Sequence, residues 1–182
     1  IEECTGCIYS NGCTYRVPTI WTGAASTEWF NAGNWSDGIP NFKTAATISA
    51  SATNMPVIVT SEVEVFTLLV ETGATLEISS TNSINLWGDF TIEGSFLPNK
   101  STLNFIGTCW PSEISSATTL SIYNIKVSNV NDVTIKSGDQ NLYGTLTVAE
   151  GSLITNDSLT LISDAFGTAR IAEITRVGVS GS

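Results

Sequence analysis

The chain has no histidine. That removes Ser-His-Asp and Cys-His nucleophile systems, His-ligated zinc hydrolysis and imidazole acid-base work. Neither a Gly-x-Gly-x-x-Gly run nor a Gly-x-x-x-x-Gly-Lys-Ser/Thr run occurs, so the common phosphate cradles are missing as well. Basic residues are scarce: 7 Lys and Arg face 17 Asp and Glu, giving a net charge of -10 over 182 residues. Nucleic acid and anionic lipid both need clustered cations, so neither is an expected partner. No apolar run is long enough to cross a bilayer, and membrane insertion is not expected. No window sustains apolar residues at i, i+3, i+4 and i+7, which excludes long amphipathic helices. Charged residues make up only 13%, about half the usual share.

What is present is 42% hydrophobic residues, enough for a substantial core. The polar remainder is mostly Ser, Thr and Asn, which suit strands and turns. Apolar positions alternate at Val63/Val65, Phe66/Leu68/Val70, Leu76/Ile78, Ile84/Leu86, Phe90/Ile92 and Leu103/Phe105. They do so again at Ile125/Val127, Val133/Ile135, Leu146/Val148 and Leu159/Leu161. Period two marks strands with one buried face.

The strands recur with their turns. Leu142-Tyr-Gly-Thr-Leu-Thr-Val-Ala-Glu-Gly-Ser-Leu153 has a near copy in Leu86-Trp-Gly-Asp-Phe-Thr-Ile-Glu-Gly-Ser-Phe96, and a weaker one in Phe66–Leu76. Aligning Gly73, Gly94 and Gly151 puts Asn131 in the same turn position, with Asn replacing Gly where φ must be positive. The steps are 94 − 73 = 21, 131 − 94 = 37 and 151 − 131 = 20. A rung of about 20 residues predicts an all-β chain folded as a parallel β-helix, or β-solenoid. A β-sandwich or jelly roll is the alternative. The 37-residue step predicts an insertion at 97–121, holding Pro98, Cys109, Trp110 and Pro111.

The predicted organisation is a Cys-rich segment at 1–19, a Trp-rich cap with lead-in strands at 20–60, a repeat body at 61–172, and a linker at 173–182. The start, Ile-Glu-Glu-Cys, reads as a mature or excised N-terminus, and Val177–Ser182 as a cut into further sequence.

Four cysteines (Cys4, Cys7, Cys13 and Cys109) allow three pairings. Disulfides are the favoured reading, with a four-thiolate zinc site or free thiols as alternatives. A bond from the first segment to Cys109 would close a loop of about a hundred residues, where a crosslink gains most. Trp21, Trp29 and Trp35 fall close together. They predict a plug over the open end of the stack, or platforms for sugar rings, a role also open to Trp110. Asp37, Asp132 and Asp164, with Asp89, Asp139 and Asp157, are the oxygen ligands a calcium site could draw on. Turn hydrogen bonding explains the same residues. Glu62/Glu64, Glu71 and Glu77 alternate with apolar residues and are expected to face solvent. Asn34, Asn99 and Asn156 open Asn-x-Ser patterns.

The run Trp-x-Gly…Trp…Asn-Trp-Ser-x-Gly-Ile-Pro, followed by Ala46-Thr-Ile48, Pro56-Val-Ile and a Leu-x-Val-x-x-Gly-Ala-Thr-Leu block, resembles a module of secreted Bacteroidetes surface proteins. Leu159–Ile171 is similar to that family's closing segment. The resemblance covers residues 20–172. It implies a module of a large cell-surface or gliding adhesin exported by type IX secretion. Such a module would be extracellular and non-enzymatic, with neighbouring modules of one long chain as its partners, and with surface polysaccharide or another cell-surface protein as further ones. Asp157-Ser158-Leu159 resembles the Asp-Ser/Thr-aliphatic O-glycosylation motif of such exported proteins, with Ser158 as acceptor. No cofactor is expected beyond the calcium already considered. A carbohydrate-binding module of a secreted polysaccharide-degrading protein is the second functional expectation, and a catalytic β-helix acting on acidic polysaccharide is the third.

Overall fold

The computed structural model describes residues 17–59, 62–79, 81–164 and 167–172. The chain winds through stacked coils. The first is β1 (Val17–Trp21) with a 3-10 turn at Ala32–Asn34. The second is β2 (Thr44–Ile48), β3 (Val57–Ile58) and β4 (Val63–Val65). The third is β5 (Thr67–Val70), β6 (Thr75–Ile78) and β7 (Ser83–Leu86). The fourth is β8 (Phe90–Ile92), β9 (Ser95–Leu97) and β10 (Thr102–Phe105). Then come β11 (Ser112–Ser116), β12 (Leu120–Ile122) and β13 (Asn124–Ser128), followed by β14 (Val133–Ser137), β15 (Gln140–Leu142) and β16 (Thr145–Glu150). The last coil is β17 (Leu153–Ile154), β18 (Leu159–Leu161), the strand pair β19 (Ser163–Asp164) and β20 (Gly167–Thr168), and β21 (Arg170–Ile171).

Corresponding strands pair in parallel and form three faces. One face runs β1-β2-β5-β8-β11-β14-β17 and another β4-β7-β10-β13-β16-β21. The third is split into β3-β6-β9 and β12-β15-β18. Among the described strands, β19 and β20 form the one antiparallel pair. This is the predicted β-solenoid, with a spacing of roughly 21 residues per turn, and the parallel ladders rule out the sandwich.

The alternation builds the core. Ala46, Leu68, Phe90, Ile114 and Ile135 stack as one inward row. Val63, Ile84, Leu103, Ile125 and Leu146 form a second. Both rows are buried and belong to one continuous apolar cluster. Each Val, Leu, Ile or Phe side chain in these rows contributes about 1.5–3 kcal/mol when removed from water. Among the outward positions, Glu62, Glu64, Glu71 and Glu77 lie at the surface or half-buried, as the alternation predicted.

Three expectations are corrected. Residues 97–121 are not an insertion: they contain the end of β9, all of β10 and β11, and the start of β12. The 37-residue step arose because the aligned turns sit at different corners. Gly73 and Gly94 lie between the first and third faces, whereas Asn131 and Gly151 lie between the second face and the first. The two near copies are likewise offset by one face, because a strand–turn–strand signal looks alike at every corner. The glycines also differ in purpose. Gly151 has φ +70°, and a Cβ there would meet the Asn129 carbonyl oxygen at 1.9 Å. Gly94 is not left-handed; it is needed because its Cβ would lie 2.3 Å from the Glu71 carbonyl oxygen in the coil below. At the Asn131 corner the positive φ falls on Asp132, at 72°.

The repeat stack also begins earlier than 61, since β2 and β3 are members of its ladders. The 1–19 boundary falls inside β1, and residues 1–16 and 173–182 lie outside the described residues.

Candidate functional site

The Trp-rich segment folds over the first coil as a plug. Trp21 ends β1 with its ring turned inward, and Trp35 follows the 3-10 turn and bridges antiparallel to it. Trp21 and Trp35 meet edge to face at 5.1 Å, as do Trp29 and Trp35 at 4.8 Å. Trp21 and Trp29 lie nearly parallel at 6.3 Å. The Trp21 indole N–H donates to the Asn54 carbonyl at 2.6 Å, and that of Trp35 to the Trp29 carbonyl at 2.8 Å.

Asn34 holds the plug together. Its Oδ1 accepts from the backbone N–H groups of Ala25 and Ser26, both at 2.8 Å. Its Nδ2 donates to the Glu28 carbonyl at 2.9 Å and to the Ser26 hydroxyl at 3.1 Å. This uses both ends of the amide and leaves it wholly buried, so Asn34 has a structural role within its Asn-x-Ser pattern.

The three tryptophans are 0%, 2% and 5% exposed, so their faces do not offer stacking platforms in this conformation. Trp29 does line a surface cavity of about 220 Å³ with Glu28, Phe30, Val57 and Val59, and its own indole nitrogen is buried without a hydrogen-bond partner. Trp110 is different. It lies in the six-residue corner between β10 and β11, is 40% exposed, and its carbonyl accepts from Asn129 Nδ2 at 3.0 Å.

Cys109 shares that corner and is disulfide-bonded. Cys4, Cys7 and Cys13 lie outside the described residues, so the pairing is not assigned.

The carboxylates considered for calcium are dispersed. Asp37 follows the plug and accepts from the Ser36 hydroxyl at 2.6 Å. Asp132 forms the corner before β14. Asp164 belongs to β19 and accepts from the Gly167 N–H at 3.1 Å. The coil positions of these three separate them, and among the described residues no three His, Cys, Asp or Glu side chains form a metal-binding group. Ser158 is half-buried in the turn before β18; its hydroxyl is 3.4 Å from the Asn156 carbonyl.

Glu113 and Lys136 form an ion pair at 2.7 Å between neighbouring coils, with both side chains exposed. The hydrogen bond that Lys136 Nζ donates to the Glu113 carboxylate, and then the charge of that carboxylate, raise the Lys136 pKa above its usual value.

One set of residues escaped the sequence reading. Asparagines at the corners donate to carbonyls one coil below: Asn99 to Ile78 at 2.7 Å, Asn156 to Ile135 at 2.9 Å and Asn131 to Thr108 at 3.0 Å. Corner backbone otherwise lacks ladder partners, and these amides satisfy it. No period marked them in the sequence, because Asn99, Asn131 and Asn156 lie at three different corners.

The family model described as Domain of unknown function (DUF8693) matches residues 20–102. That stretch covers the tryptophan plug and the coils through the start of β10. No curated protein and no solved structure matches the chain. Among the described residues no helix is long and apolar enough to cross a membrane.

Proposed function

We propose that this chain is a non-enzymatic scaffold module of a large exported bacterial surface protein, displaying its corner loops outside the cell. The contrast between the two ends of the stack is the observation that carries this reading. The first coil is closed by a buried tryptophan plug, whereas the inward rows finish at Leu161 and Ile171, 42% and 64% exposed. A core row that stays uncovered suits stacking on further β-structure of the same long chain, as terminal repeats need cover. The resemblance across residues 20–172 supplies the adhesin and type IX secretion context.

Protease treatment of intact cells of the source organism tests the location. Release of peptides from this chain before any cytoplasmic marker is expected; full protection until lysis would overturn the reading. Incubation with neutral and acidic polysaccharides tests the absence of catalysis. New reducing ends or unsaturated uronide products would overturn that part.

A further inference from the structure

The corner between the third and second faces varies in length from coil to coil. In the fourth coil residues 98–101 separate β9 from β10. In the next, Tyr123 alone joins β12 to β13; in the one after, Tyr143 and Gly144 join β15 to β16. In the last coil the corner lengthens again and carries the β19–β20 pair. Two tight corners therefore lie between two longer ones. The result is a trough of about 230 Å³ lined by Asn99, Lys100, Tyr123, Tyr143, Asp164 and Gly167.

Its floor and one wall are firmly held. Tyr143 N–H donates to the Ile122 carbonyl at 3.0 Å and Gly144 N–H to the Tyr123 carbonyl at 2.7 Å, locking the two tyrosines onto adjacent coils. Neighbouring strands lie about 4.8 Å apart, so the walls, three coils apart, are separated by roughly 14 Å. Asn99 takes a left-handed φ of 45°, and its Nδ2 is anchored to the Ile78 carbonyl and, at 3.4 Å, to Glu77 Oε1. Across the trough, the Asp164 carboxylate is oriented by the Gly167 N–H.

The chemistry of the lining narrows the ligand. Two half-buried phenol rings offer apolar surface with a polar tip. An amide, an ammonium and a carboxylate at the rim supply both donors and acceptors. A few polar groups around an apolar floor is the usual composition of a small-molecule site. A phosphorylated or polyanionic ligand is disfavoured by the net charge of -10 and by the Asp164 carboxylate on the wall opposite Lys100. A peptide adding as a strand has no edge to join, because β10, β13 and β16 are each paired on both sides. A pyranose fits: its C–H face packs on an aromatic ring while its hydroxyls reach the rim.

We propose that this trough is a binding site for a short neutral oligosaccharide, with Tyr123 and Tyr143 as stacking floor and Asn99, Lys100 and Asp164 as hydroxyl-binding rim. The site lies on the flank of the stack and does not depend on the scaffold role.

The test is binding of the full chain to immobilised neutral gluco-, manno-, galacto- and xylo-oligosaccharides, with acidic glycans alongside, followed by calorimetry on those retained. At least one neutral oligosaccharide should bind. Tyr123→Ser and Tyr143→Ser should each weaken it by about tenfold. Tyr143→Phe should stay within about threefold, since the ring remains. Phe42→Ser, at another corner, should change nothing. Circular dichroism verifies folding, and Asp164→Ala, on an exposed side chain, stands in for any tyrosine variant that fails to fold. Tyrosine-ring resonances of the wild-type chain should shift on titration. Retention of no neutral glycan, retention of acidic glycans only, or binding that survives the double tyrosine replacement would overturn the proposal.

Discussion

The two ends of the solenoid meet the same physical problem with different means. Every stack of coils exposes a core cross-section and a row of strand edges at each end. At the first coil, three indoles fill the cross-section and the Asn34 amide makes four hydrogen bonds beneath them. At the last described coil, Leu159 and Leu161 continue rows from Gln140 and Leu142, yet Leu161 stands exposed where Leu142 is fully buried. Sequence position within a row therefore does not decide burial; the presence of a covering layer does. The first coils should accordingly be the most resistant part of the stack, and the last coil should open first.

The sharpest way to break this contrast is to remove part of the plug. Trp35→Ala deletes a buried ring that touches both other indoles, and should destabilise the fold by about 3–5 kcal/mol. Leu161→Ala, formally a core-row substitution too, should cost less than about 1 kcal/mol because little burial is lost. Urea denaturation of both variants checks the pair, and equal costs would mean that the ends are equivalent. Asn34→Ala comes next. It strands the N–H groups of Ala25 and Ser26 and the Glu28 carbonyl, and a loss of about 2–3 kcal/mol is expected. Asn156→Ala, which removes one corner bond in a more exposed turn, should cost about 0.5–1.5 kcal/mol in the same assay.

How much of this was legible without coordinates follows from the same residues. The β-solenoid and its rung length were readable because inward rows demand alternation and ladders demand a constant period. The plug was readable as three tryptophans outside the repeat. The corners were not, because Gly94 and Gly151 carry one letter for two different needs: close approach of a neighbouring coil, and a left-handed φ. Aligning them produced the false insertion at 97–121. The trough was hidden for a related reason. Tyr123 and Tyr143 are ordinary residues individually, and only the lengths of the flanking corners, which depend on register, make them a floor. Asn34 was seen as part of a modification pattern because sequence does not report that four hydrogen bonds occupy its amide.

A smaller effect resolves the gradient between the ends. Native-state hydrogen exchange should show the amides of β2, β5 and β8 exchanging only through global unfolding. Those of β17, β18 and β21 should open at a free energy lower by about 1–3 kcal/mol. In a linear array each coil is held mainly by its neighbours, so a coil with one neighbour frays first. Uniform protection across all coils would show that the exposed rows near Leu161 and Ile171 are not a weak end.

The smallest expected effect belongs to the Glu113–Lys136 pair, which joins the fifth and sixth coils. The raised Lys136 pKa means that its contribution is fully present below the ordinary lysine value of 10.5 and is lost only as pH climbs through the raised value. Both side chains are exposed, and such pairs are screened and entropically costly to hold. Lys136→Met should therefore leave the thermal midpoint unchanged at physiological salt from pH 6 to about pH 9. The protection of β2 and of β17 should stay as in the parent chain. A midpoint shift that vanishes in high salt would instead show that this bridge couples the coils. The stack would then owe part of its end-to-end asymmetry to charge rather than to the indole plug.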